Sequence, residues 1–202
     1  MQAYGWLLDP KRCIECRACE VACKQWNGVP TGINVRYRRV HVNEYGKFPN
    51  VRLQALSLAC NHCDNPLCLK VCPVKAIWRR DEDGAVIIDQ EKCVGCRFCE
   101  QFCPYDAPQF NVQLKKMQKC TMCYDRIAMG LQPACAAACP TGALRWGDWE
   151  EIRQQGVDRI EGFKNPSTTR PRIRFLTGGW QQARSSWSRP AVVASAPLGA
   201  RV

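Results

Sequence analysis

The sixteen cysteines of this 202-residue chain fall into four groups with none left over. "CIECRACEVAC" holds Cys13, Cys16, Cys19 and Cys23, and "CNHCDNPLCLKVCP" holds Cys60, Cys63, Cys68 and Cys72. "CVGCRFCEQFCP" holds Cys93, Cys96, Cys99 and Cys103, and "CTMCYDRIAMGLQPACAAACP" holds Cys120, Cys123, Cys135 and Cys139. Each group begins C-x2-C and ends C-x3-C; only the middle spacer varies. A chain of this length makes one ordinary domain or two small ones. Small domains with little core are stapled by disulfides or metals, so the thiols constrain the fold more than any local propensity does.

Three chemistries compete for them. Three cysteines at x2 spacing make a poor disulfide framework, and "MQAYGWLLDPKRC" has neither the apolar core nor the cleavage site of an export signal. Four-cysteine zinc sites use two C-x2-C knuckles and have no use for three close ligands plus a distant fourth. A cubane [4Fe-4S] cluster does. Three iron corners are within reach of one tight loop, and the fourth takes a ligand from elsewhere. In two-cluster ferredoxins the cysteine of C-x3-C-P serves the other cluster, and the proline turns the chain away.

The ligand sets follow from contiguity. Groups two and three, joined by a fragment that reads as a hairpin (Ala76 to Asp89, turning at Asp83–Gly84), have the size and pattern of a complete two-cluster ferredoxin. Cys60, Cys63 and Cys68 then share a cluster with Cys103, and Cys93, Cys96 and Cys99 with Cys72. Groups one and four have only each other: Cys13, Cys16 and Cys19 take Cys139, while Cys120, Cys123 and Cys135 take Cys23. The repeat extends past the cysteines, since "WLLDPKRCIEC" matches "VIIDQEKCVGC" and "CPVKAI" matches "CPTGAL". The expected fold is α+β: two bacterial-ferredoxin-like bicluster modules, one inserted in the other. The outer module is 1–58 with 111–150, including a β-ribbon insert at about 28–58. The inserted module is 59–110, and 151–202 is a short helix and an extended basic tail. Group one departs from the pattern, with Lys24 where the others have proline. His41 and His62 are spare to the ligand count, and His62, inside "CNHC", is expected to offer a hydrogen bond near a cluster.

The formal charge of +11 suggests nucleic acid only if the thiols are neutral. An oxidised cubane with its four thiolates carries about −2, so four of them bring the chain to about +3. The segment from Phe163 on has seven basic and no acidic residues, which leaves the cluster-bearing body negative. Arg12, Arg17, Lys92, Arg97 and Lys119 stand beside ligands and either offset clusters or are plain surface charges. The tail is either a solubilising disordered end or an arm that orders on a partner through "RIRFLTGGW", because Phe175 and Trp180 are costly to leave in water. The longest apolar stretch near the end, "AVVASAPL", is too short to cross a bilayer. A membrane role is therefore expected to come through a partner. No nucleotide fingerprint or nucleophile–base pair is visible, so no substrate chemistry is expected on this chain.

Residues 4 to about 150 resemble the iron–sulfur subunit of membrane-bound molybdopterin oxidoreductases, of the dimethyl sulfoxide reductase type. "YGWLLDPKRCIECRACEVACK", "SLACNHCDNPLCLKVCPVKAI", "DQEKCVGCRFCEQFCPYDAPQF" and "KCTMCYDRIAMGLQPACAAACPTGAL" carry the likeness; "CPYDAPQF" and "KCTMCYDR" are its most specific parts. The resemblance implies four [4Fe-4S] clusters relaying electrons between a molybdopterin (Mo or W) catalytic subunit and an integral-membrane, quinone-reactive anchor. The complex would sit at the membrane, on the outer face through a partner's export signal or on the cytoplasmic face. Cys96 stands where some relatives have an aromatic residue and a three-iron cluster, which favours four irons here. The alternative is the electron-transfer subunit of a hydrogenase or of a formate dehydrogenase or formate–hydrogen complex.

Overall fold

The computed structural model of the chain describes residues 3–177. The first strand, β1 (Tyr4–Leu8), is a near-continuous apolar run, as expected of a strand covered on both faces. Helix α1 (Ala18–Trp26) follows, then the antiparallel ribbon β2 (Arg39–Tyr45) and β3 (Arg52–Leu58), paired from Arg39↔Leu58 to Tyr45↔Arg52. This ribbon lies within the stretch 28–58.

Next come α2 (Leu67–Lys70) and the hairpin β4 (Ile77–Arg79) and β5 (Val86–Ile88). Its turn is held by Asp83, whose Oδ1 accepts from the Ala85 amide at 2.9 Å. Helix α3 (Phe98–Gln101) leads to a second short hairpin, β6 (Gln109–Asn111) and β7 (Lys116–Gln118), which the sequence did not suggest. Asn111 builds that turn, with its Oδ1 accepting from the amides of Gln113 and Leu114 at 3.0 Å. Two short helices, α4 (Tyr124–Ala128) and α5 (Ala134–Ala137), fill the long spacer and the end of group four. Strand β8 (Leu144–Asp148), helix α6 (Trp149–Ile152) and strand β9 (Ile173–Phe175) complete the described residues.

One three-stranded sheet, in the order β8-β1-β9, joins the two ends. Strand β1 runs antiparallel to β8, with Trp6 opposite Trp146, and parallel to β9, with Trp6 opposite Ile173. The main core gathers Trp6, Leu8, Val35, Val40, Leu56, Met122, Ile173 and Phe175 around cysteines from all four groups. A second core packs Ile77, Val86, Ile88 and Met117 against Cys93 and Cys99.

The stretch from Asn165 reads in the sequence as extended tail, and its described part lies against the body instead. Phe175 is fully buried, and Phe163 stacks on Tyr105 at 5.1 Å and meets Phe175 edge-on at 4.8 Å. Backbone carbonyls of Thr169 and Arg170 accept from the amides of Asn65 and Asp64 at 3.0 and 2.9 Å. Arg172, also buried, donates to Asp64 Oδ1 at 2.7 Å and to the Gly84 carbonyl at 3.2 Å. Residues 163–176 thus form a strap from the ferredoxin-like segment of groups two and three to the sheet that carries β1. Trp180 and the rest of "RIRFLTGGW" beyond Thr177 lie outside the described residues. Phe175→Ala removes the strap's anchor and is expected to cost about 3–5 kcal/mol, as for a fully buried aromatic. Thermal unfolding of the iron-loaded chain measures it, and Phe175→Leu should retain most of the stability.

Candidate metal centres

Each cysteine group is shaped by the same backbone device. The residue just before the second cysteine is left-handed in all four: Glu15 (φ 59°), His62 (φ 43°), Gly95 (φ 70°) and Met122 (φ 64°). Such φ values cost a residue with a Cβ about 1–2 kcal/mol, so three of four are held there by the loop and not by their own preference. At Gly95 a Cβ would also run into the Lys115 carbonyl. Alternating handedness turns successive amide N–H groups to one side and makes a concavity suited to negative charge. The Met122 amide accordingly donates to Cys120 Sγ at 3.3 Å.

A second device follows the last cysteine. In groups two, three and four the sequence Cys-Pro is followed by a left-handed residue: Lys75, Asp106 and Gly142. The chain reverses there, and the amides of Ala76 and Leu144 reach Cys72 Sγ at 3.3 Å and Cys139 Sγ at 3.4 Å. Group one has Lys24 in place of proline, and its helix α1 runs straight through Cys23 to Trp26. Asn27 takes over, with Nδ2 at 3.7 Å from Cys23 Sγ and 4.0 Å from Cys123 Sγ.

The thiols surround enclosed spaces. One cavity is lined by Cys60, Cys63, Cys68 and Cys103, with Asn61, His62, Lys119 and Thr169. Another is lined by Cys13, Cys16, Cys19 and Cys139, with Ser57. Burial pushes the Cys99 thiol up to about 12, with further repulsion from Cys68, Cys93, Cys96 and Cys72. Burial likewise pushes Cys23 up to about 12, with repulsion from Cys135 and Cys123, and Cys68 up to about 12, with repulsion from Cys60. Without a bound cation these thiols hold their protons at neutral pH, so loading a metal group releases them. Among the described residues, no three His, Cys, Asp or Glu side chains converge on a single metal ion. Thiols spread around a cavity suit a multi-atom group in which each sulfur binds its own iron.

Orphaned polar atoms line the same spaces. His62 is fully buried; its Nδ1 accepts from the Val86 amide at 2.9 Å, which places the proton of the neutral ring on Nε2. Burial, then the Lys119 and Arg172 charges, hold His62 well below its usual range. His62 Nε2 and both amide atoms of Asn61 have no hydrogen-bond partner among the described residues. Donors without a protein acceptor fit a group rich in sulfide acceptors.

Comparison with known proteins agrees with this chemistry. The family described as "4Fe-4S dicluster domain" matches residues 51–149, and that described as "4Fe-4S binding domain" matches residues 10–28. The chain is 44% identical over 160 residues to the probable anaerobic dimethyl sulfoxide reductase chain YnfG of Escherichia coli, covering 75% of this chain and 77% of the relative. It is 41% identical over 163 residues to an anaerobic dimethyl sulfoxide reductase chain of the same organism, covering 77% and 78%. It is 40% identical over 187 residues to a tetrathionate reductase subunit of Salmonella typhimurium, covering 86% and 72%. This chain therefore belongs to the iron–sulfur subunits of dimethyl sulfoxide reductase-type enzymes. Its cofactor is the [4Fe-4S] cluster, and its sixteen cysteines are the complement for four.

In this iron–sulfur subunit the charges that adjoin ligands in the sequence divide between the two readings. Arg17, Lys92 and Arg97 pair with Glu20, Asp89 and Glu100 three residues away and are about half exposed or more. Such pairs contribute little and are surface charges. Lys119 and Arg38 are both buried, and cysteine charges act on each. Lys119 Nζ donates to the carbonyls of Val86 and Cys120. Burial works against its charge, but Cys60, Cys68 and Cys120 outweigh burial and hold its pKa raised. Arg38 was not foreseen, because it adjoins no cysteine in the sequence.

Proposed function

We propose that the chain holds four [4Fe-4S] clusters as an electron relay between a molybdopterin (Mo or W) catalytic subunit and an integral-membrane, quinone-reactive anchor. The ligand sets are Cys13, Cys16, Cys19 and Cys139; Cys60, Cys63, Cys68 and Cys103; Cys93, Cys96, Cys99 and Cys72; and Cys120, Cys123, Cys135 and Cys23. The observation that carries the reading is that two of these sets each line one cavity, although in both cases the fourth cysteine is distant in sequence. A cluster bound by four thiolates takes up and gives back one electron at a time. The chain's residues supply rigid loops, amide donors to sulfur and exclusion of water.

Cross-set repulsions support a serial order. Burial first and neighbouring sulfur next push these thiols up, and some of the neighbours belong to another set: Cys135 acts on Cys19, Cys60 on Cys120 and Cys68 on Cys99. The sets then run from the Cys13 set through the Cys120 and Cys60 sets to the Cys93 set. Cys16 and Cys96, on the two terminal sets, are the exposed cysteines among the sixteen. That is where an electron would enter and leave. Among the described residues no helix is long and apolar enough to cross a membrane. The relatives named above are sulfoxide and tetrathionate reductase subunits, which favours this reading over the hydrogenase alternative.

Metal analysis of the anaerobically purified complex tests the proposal. The expected result is about sixteen irons per chain with molybdenum or tungsten; nickel would move the assignment to a hydrogenase, and zinc in place of iron would overturn it. Cys96→Ser should change the iron content or potential of one cluster and slow turnover while leaving substrate binding unaltered. An unchanged cluster spectrum would count against the ligand set.

A further inference from the structure

Arg38 is 1% exposed, and no carboxylate in the described residues pairs with it. Its guanidinium lies 4.2 Å from the centre of the Trp6 ring, and Nη1 donates to the Ser57 carbonyl at 3.0 Å. Ser57 Oγ is in turn 3.3 Å from Cys19 Sγ. Nε and Nη2 of Arg38 are buried with no hydrogen-bond partner among the described residues. A guanidinium does not deprotonate in a protein, and an unpaired buried charge is strongly unfavourable. Something negative must face it. The groups that act on it are Cys135, Cys120, Cys19 and Cys23, whose sulfurs outweigh the burial that opposes its charge. One of these is in the proposed Cys13 set and three are in the proposed Cys120 set.

We propose that Arg38 is the shared counter-ion of these two clusters, its free Nε–H and Nη2–H donating to their sulfur, and that it raises the reduction potential of both. The inference rests on the ligand sets above. The physical reason is direct: reduction adds an electron to a site already negative, and a fixed cation in a low-dielectric core lowers that cost. Hydrogen bonds to the sulfurs act in the same direction. Because one cation serves two adjacent sites, both potentials should move in the same direction. The Cys60 set has Lys119 and His62 at its own cavity, and neither it nor the Cys93 set supplies one of the four sulfurs that act on Arg38, so those two clusters should be indifferent to it.

The test is a redox titration of the whole complex, followed by electron paramagnetic resonance, with Arg38→Met compared with Arg38→Lys. In Arg38→Met, two of the four signals should move to lower potential by at least tenfold in the reduction equilibrium, about 59 mV for one electron. The other two should stay in place, and Arg38→Lys should recover most of the shift because it keeps the charge. Full iron with all four potentials unmoved overturns the proposal, as does an equal movement of all four. If Arg38→Met assembles no clusters, Arg38→Lys decides. Restored iron supports a charge role, whereas a Lys variant as empty as the Met variant shows that shape alone is required and overturns it. Failure of the ligand sets looks different: the unsubstituted complex would itself fall short of four signals.

Discussion

Stripping the iron is expected to abolish the cooperative unfolding transition of this chain, not merely to lower its midpoint. The helices are four to nine residues long and most strands have three to seven. Isolated helices of that length do not persist in water. What unites them is a core whose buried members include cysteines from every group. With iron gone, the thiols take protons and the spaces they line lose their contents. More costly still, Arg38 and Lys119 stay fully enclosed without the sulfur charge that faces them. Breaking a buried ion pair from one side costs about 3–5 kcal/mol. Two such losses consume most of a total stability of about 5–15 kcal/mol. Thermal scans by circular dichroism, before and after anaerobic chelation, measure this. The loaded chain should melt sharply and the stripped chain drift without a step. A sharp step retained within a few degrees would mean that the sheet and hairpins suffice alone.

The devices that repeat were legible in the sequence, because each is set by residues a few positions apart. The hairpin at Asp83–Gly84 follows from local pattern. Lys24 stands where the other groups have proline, and α1 runs on through Cys23. What stayed hidden is non-local. Arg38 sits in "VRYRRV", where alternation and charge suggest a solvated ribbon; nothing nearby says that its side chain turns onto Trp6. Thr169 and Arg172 lie in a stretch whose Pro, Ser, Thr and Arg content reads as tail. Their partners are Asn61, Asp64, Asn65 and Gly84, about 90 to 110 positions away, and no local period records such pairings. The charge argument shifts with them, since Arg172 and Arg174 are part of the packed body and not of a free basic end.

Trp6→Ala should be the most damaging single substitution outside the cysteines, and its effect should reach more than one cluster. Trp6 is fully buried at the centre of β1, between Trp146 on one side and Ile173 on the other. Its indole Nε1–H donates to the Cys60 carbonyl at 3.1 Å, which ties the first cysteine of group two to the strand that precedes group one. Its face carries Arg38. Truncation therefore removes three things together. The lost packing alone is worth about 3–5 kcal/mol. A carbonyl left without its donor adds about 1–3 kcal/mol, and the guanidinium loses a cation–π contact of about 2 kcal/mol in a desolvated setting. Trp6→Phe separates these contributions, since it keeps an aromatic face and forfeits the hydrogen bond. Iron per chain is the readout. Trp6→Ala should lose iron from more than one cluster, while Trp6→Phe should retain most of its iron and unfold at a modestly lower temperature. If Trp6→Ala kept all of its iron, the cysteine groups would be held together by the strap and the sheet backbone alone, and Trp6 would be only a core residue.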